Sequence, residues 1–173
     1  MILLFSFPQF LHAQELIRIG KGKINFTSDA PLELIKATST DIKGVIEPST
    51  NQFAFVLNIR SFKGFNGGLQ QEHFNDKYME SEKYPTATFK GKIIEQVNFS
   101  ENGVHEVRAK GTLNIHGQPQ VRIIKCKLMI KDGVVSVTSD FKVPLADHNI
   151  TIPRIISEKI ATEIDVNLVA STL

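Results

Sequence analysis

From Glu15 onward apolar residues recur at every second position, and this alternation constrains the fold more than any other feature of the chain. In QFAFVLNIRSF, Phe53, Phe55, Leu57 and Ile59 share one phase while Gln52, Asn58 and Arg60 take the other. In TATFKGKI, Ala87, Phe89, Gly91 and Ile93 alternate with Thr88, Lys90 and Lys92. VRAKGTLNIHG sets Val107, Ala109, Gly111, Leu113 and Ile115 against Arg108, Lys110, Thr112, Asn114 and His116. In the last segment, Ile160, Ile164, Val166 and Leu168 oppose Glu163, Asp165 and Asn167. A strand with one apolar and one polar face belongs to a sheet wetted on one side, which favours antiparallel construction.

The pattern predicts eight strands, near 15–27, 32–47, 52–62, 86–98, 104–116, 120–131, 134–143 and 159–170. Asn102-Gly103 and Asp132-Gly133 read as tight hairpin turns, and Glu47–Asn51 and Gly117-Gln118-Pro119 as further turns. In IRIGKGKINF the apolar phase passes from odd (Ile17, Ile19) to even (Ile24, Phe26) across Gly20 and Gly22, which predicts a glycine bulge in a long first strand. Long strands joined by short turns predict an all-β fold, an antiparallel eight-stranded barrel that closes on itself and so hides its edges. A barrel of about eight strands is wide enough for side chains or for one small ligand. No repeat or linker interrupts the 173 residues, which read as one domain over 14–173.

Hydrophobic residues make up 42% of the chain, enough for a core, and the net charge of +2 gives no footprint for nucleic acid. The single cysteine, Cys126, excludes an internal disulfide and reads as a small buried hydrophobe within VRIIKCKLMI. MILLFSFPQFLHA is too short to span a bilayer as a helix, which needs about 20 residues. It reads as the apolar region of a secretory signal peptide over 1–13, cut after Ala13, although no Lys or Arg precedes it. This predicts a periplasmic or secreted protein beginning near Gln14.

Two stretches break the strand rule. In QQEHFNDKYMESEKYP, Glu72, Asp76 and Glu80 recur at every fourth position, the wet side of a short helix near 69–80. Phe74 and Tyr78 then turn inward over the barrel mouth, and Pro85 ends the helix. The second stretch, PLADHNITIPRIISEK, reads as an irregular cap at a barrel end. His73 with Glu72 and Asp76 lacks the second histidine that a metal motif would require. Asp147, His148 and Ser157 lack a nucleophile elbow. GFNGGLQQEHF lacks the Gly-Lys-Ser/Thr ending of a phosphate loop. No catalytic constellation and no required cofactor emerges. His116 reads either as a strand-end hydrogen-bonding group or as a polar pocket group.

The order of three motifs carries a resemblance. EHFNDKYMESEKYPTATFKGKI, with Ser81, Tyr84, Pro85, Thr88 and Phe89, is followed by GTLNIHG (Gly111–Gly117) and then by SDFKVPLADHNITIP. Together they resemble the signatures of YceI-like proteins, over about Glu15 to Ala170. The resemblance implies a lipocalin-like barrel with a helix near one end, export, and in some members an isoprenoid chain held inside. The chain departs from the pattern at Gln118-Pro119-Gln120 and at Leu69–Phe74, where a family arginine is replaced.

The inward faces can form a solid core or enclose a ligand, because both need apolar interiors. The ligand reading takes Phe53, Phe55, Leu57, Phe74, Tyr78, Phe89, Leu113, Ile115 and Phe141 as pocket lining, with His73 and His116 as polar pocket groups. Its partner is a hydrophobic small molecule or lipid such as an isoprenoid, quinone tail or fatty acyl chain. Two other readings stand beside it. One is a solid-barrel envelope stress or interaction protein. The other is a lipid-modifying enzyme using His73, His116 or Asp147. The sequence leaves a homodimer open.

Overall fold

The computed structural model describes residues 16–172, so the signal-peptide segment 1–13 lies outside the described residues. Nine antiparallel strands form one sheet: β1 (Ile17–Asp29), β2 (Leu34–Ser39), β3 (Ile42–Glu47), β4 (Gln52–Asn58), β5 (Thr86–Ile93), β6 (Gly103–Ile115), β7 (Gln118–Lys131), β8 (Val134–Pro144) and β9 (Glu163–Thr172). β1 pairs with β9 from Lys21↔Ser171 to Thr27↔Asp165, which closes β1 and β3–β9 into an eight-stranded barrel. β2 is the extra strand. The predicted strand 32–47 is two strands on the same edge of β1, β3 against Ile17–Ile19 and β2 against Ile24–Asp29. One straight strand cannot follow β1 past its bend. The register of β1 against β9 shifts between Ile19 and Lys21, at the glycine where the apolar phase changes.

The two barrel ends are built differently. At one end lie the β3–β4 and β7–β8 turns and the loop 94–102. The β7–β8 connection is the two-residue Asp132-Gly133 turn with positive φ at both positions. Asn102-Gly103, by contrast, does not form a tight hairpin: β5 stops at Ile93, and Val97 and Phe99 of the following loop pack on the core. Burying those two side chains outweighs a two-residue turn. Asn102 instead clamps Asp132, donating from Nδ2 to Oδ1 (3.1 Å) and accepting from its backbone N–H (2.9 Å). Glu95 accepts from the Arg108 backbone N–H and guanidinium, both at 2.6 Å, which hold its carboxyl below the usual range.

The other end carries the two long connections. After β4, a 3₁₀ turn (Ile59–Ser61) leads to α1 (Gly68–His73), which runs into one π-helical turn (Phe74–Tyr78). The wider turn is marked by the Met79 N–H donating to Phe74 O, five residues back. It moves Glu80 off the acidic face on which every-fourth spacing would place it. Glu80 takes a left-handed conformation (φ 42°) and ends the helix there, so Pro85 begins the approach to β5 rather than stopping the helix.

Glu80 Oε2 meets His116 Nε2 at 2.6 Å, and His116 Nδ1 meets His148 O at 3.0 Å. Both partners are acceptors, so the contact is charge-assisted when the ring carries two protons. His116-Gly117 is the β6–β7 turn, with φ of 53° and 68°, and the Tyr84 ring lies so close over Gly117 that no Cβ would fit. His148 is fully buried, and its Nδ1–H donates to Gln118 O at 3.0 Å.

Two predictions follow from this packing. Gly91 and Gly111 face each other across β5 and β6, and a Cβ on Gly111 would strike the Lys90 carbonyl. Gly111→Val is expected to lower unfolding free energy in urea by about 1–3 kcal/mol; a change below about 0.5 kcal/mol would show that the strands can part freely. Burial, then the nearby Arg122 charge, pushes the His148 imidazole below its ordinary 6.5. The unfolded chain therefore takes up this proton first: the stability is complete above 6.5 and drains away as pH falls toward the lowered folded value. Denaturant melts between roughly pH 5 and 7.5 should show a steeper acid loss for the native chain than for His148→Gln. Identical pH profiles would contradict it.

Candidate functional site

The inward faces do not fill the barrel. A cavity of about 530 Å³ runs from the deep wall of Ile46, Val107, Leu128 and Val137 toward the helix-capped end. All nine apolar residues taken from the sequence as lining face it: Phe53, Phe55 and Leu57 on β4, Phe89 on β5, Leu113 and Ile115 on β6, Phe141 on β8, and Phe74 and Tyr78 on the π-helical turn. Among the lining residues, Ala87 on β5 and Ala109 on β6 are small, whereas Gly91 and Gly111 lie where the two backbones touch and leave no room even for a Cβ. Gly44 of β3 plays a different part, because the Phe55 ring lies flat against it.

The cap is held by aromatic rings. Phe74 stacks on Phe26 of β1 (5.4 Å between centroids) and meets Phe62 at 5.8 Å and Phe65 at 5.0 Å, while Phe26 also meets Phe62 at 5.1 Å. Each such pair contributes about 0.5–1.5 kcal/mol beyond its buried area. Phe26 was legible in the even apolar phase beyond the glycine bulge. Phe62 and Phe65 lie in irregular backbone, where no periodicity announces an inward side chain. Polar ties are few: Gln71 Nε2 donates to Phe62 O (3.2 Å), Gln70 Nε2 to Glu33 Oε1 (2.8 Å) and Arg60 Nε to Ser81 Oγ (3.0 Å).

Toward the helix-capped end the lining includes Ser28, Glu33, Gln70, His73 and Lys159, while Thr88 on β5 and Ser139 on β8 line it along the strands. His73 thus stands at the cavity rim. His116 does not line the cavity: the Glu80 and His148 contacts turn its ring into the joint between the cap and the β6–β7 turn. Deeper in, burial pushes the Tyr78 phenol and the Cys126 thiol up, so the wall stays uncharged. Cys126 is half-buried, packed beside the core and lining the cavity.

Asp147, His148 and Ser157 do not assemble into a triad. Asp147 pairs with Arg122, His148 is turned to Gln118 O, and Ser157 Oγ donates to Arg154 O at 2.8 Å. Among the described residues no three His, Cys, Asp or Glu side chains converge as metal ligands.

The comparisons with known proteins agree with this architecture. A polyisoprenoid-binding domain from Saccharophagus degradans implicated in plant cell wall breakdown superposes with a TM-score of 0.72 at 17% identity, covering 91% of this chain and 98% of that one. BcnA of Burkholderia cenocepacia gives 0.72 at 12% identity, covering 88% and 96%. The YceI protein of Campylobacter jejuni gives 0.57 at 16% identity, covering 99% and 92%. At these identities the likeness establishes the fold alone. No curated protein sequence matches. The model of the YceI-like domain matches residues 20–172, and the chain belongs to the YceI-like family.

Proposed function

We propose that this protein binds a long apolar chain, of isoprenoid, quinone-tail or fatty acyl class, inside the barrel and carries it outside the cytoplasm. The observation that carries the reading is the apolar cavity of about 530 Å³, within the roughly 300–1,000 Å³ of small-molecule sites. At about 25 cal/mol per Å², burying roughly 300 Å² of an apolar chain contributes several kcal/mol before association costs. Such a ligand needs few polar partners, in keeping with a mostly apolar wall, and Gln70, His73 and Lys159 toward the capped end are available to a polar head. The name of the Saccharophagus relative, a polyisoprenoid-binding domain, supports the same ligand class. Export rests on the apolar segment 1–13. The solid-barrel reading would need the interior filled. The enzymatic reading would rest on His73, since His116 and Asp147 are engaged elsewhere.

Native protein extracted with organic solvent should yield such a lipid by mass spectrometry. No copurified lipid, together with no uptake of added polyprenol, would overturn the proposal. Phe74→Asp should weaken polyprenol retention about tenfold or more by breaking the ring cluster, with the strand circular-dichroism signal preserved; unchanged retention would remove the cap from the mechanism. Cys126 reports on occupancy, because its raised thiol faces the cavity. Alkylation should be slow in the native protein and slower once polyprenol is bound. A rate indifferent to polyprenol would place the ligand elsewhere.

A further inference from the structure

An isolated exposed leucine needs no explanation; a ring of exposed apolar tips around a lipid opening does. Two turns and the first turn of α1 meet at the mouth. The β1–β2 turn carries Leu32 (65% exposed), the first turn of α1 carries Leu69 (65%), and the 3₁₀ turn Arg154–Ile156 carries Ile155, at 93% the most exposed large apolar residue described. In each turn the exposed tip adjoins the cavity wall. Glu33 follows Leu32, Leu69 is itself lining, and Ile156 follows Ile155.

These tips are held in place. Leu32 N–H donates to Glu158 O (2.8 Å), and Gln70 ties α1 to Glu33. Ala161 N–H donates to Ser28 Oγ (2.9 Å), while Ile156 N–H donates to Pro153 O (3.0 Å). Ile155 is thus kept in water by a braced backbone.

We infer that the mouth docks on a lipid bilayer, with Leu32, Leu69 and Ile155 inserting into the surface and the cavity opening onto the membrane. This rests on the proposed lipid-binding function and adds where the ligand is collected. The occupant follows from the geometry. None of the three tips stands on an open strand edge: Leu32 and Ile155 lie in short connections, and Leu69 lies in α1, a helix of only six residues that is too short to offer a long face to a protein partner. A chain that suits the cavity resides in a bilayer. Arg154 and Lys159, on either side of Ile155, pair with no carboxylate among the described residues and lie where lipid phosphates would be. Leu32 and Ile155 themselves do not line the cavity.

The test compares the native chain with Leu32→Asp/Ile155→Asp and with Val121→Asp, a control on the exposed outer face of β7. Vesicles of phosphatidylcholine containing phosphatidylglycerol are used, with a fluorescent polyprenol supplied either within them or dissolved in buffer. The native chain and the control should float with vesicles and take up the probe from them. The double variant should lose flotation and take up vesicle probe about tenfold more slowly or worse, while binding dissolved probe as the native chain does. Flotation of the double variant equal to native, or no flotation of the native chain, overturns docking while leaving the cavity reading intact. Failure of the native chain to bind dissolved probe overturns the cavity reading, and this inference with it.

Discussion

The pairing of β1 with β9 is the contact on which the rest of the molecule depends. It joins Lys21–Thr27 to Asp165–Ser171, near the two ends of the described chain. Loop-closure cost grows only slowly with length, so so distant a pairing is affordable once the intervening strands are in register. Closure removes the edges of eight strands and sets the barrel perimeter by strand number and tilt rather than by side-chain volume. Interior space and interior filling thereby become separate quantities. The lining mixes small residues, Ala87 and Ala109, with the large rings of Phe53, Phe55 and Phe89, and a cavity of about 530 Å³ is left between them.

The same closure makes the two ends unequal. At the hairpin end, Val97 and Phe99 fold over the core, and the Asn102–Asp132 and Glu95–Arg108 contacts hold the loop with directional bonds. At the other end the cap rests mostly on ring packing around Phe74, which is non-directional and tolerates displacement. Its far side is jointed to the barrel by Glu80, His116 and His148.

Much of this was legible because a period of two leaves little freedom. Once Phe53, Phe55 and Leu57 share a phase, one face must be buried, and the alternating runs name the inward side chains strand by strand. The glycine bulge in β1 was legible for the same reason, as a phase change. Local turn chemistry was a weaker guide. Asp132-Gly133 forms its hairpin, but Asn102-Gly103 does not, because Val97 and Phe99 gain more by reaching the core. The acidic spacing of Glu72, Asp76 and Glu80 assumed 3.6 residues per turn, and a single π turn sends Glu80 to His116 instead.

By itself the sequence determined the antiparallel sheet, its inward faces, the capping helix and the family, since these follow from periodicity, from motif order and from residues close together in the chain. Only the tertiary structure decided whether those faces touch across the barrel or leave a cavity. That depends on how eight strands tilt and close, a property of no single segment. The tertiary structure also decided the fate of the histidines. His73 comes to the rim and His116 to the cap joint because strands distant in sequence meet there, and no spacing along the chain encodes that distance in space.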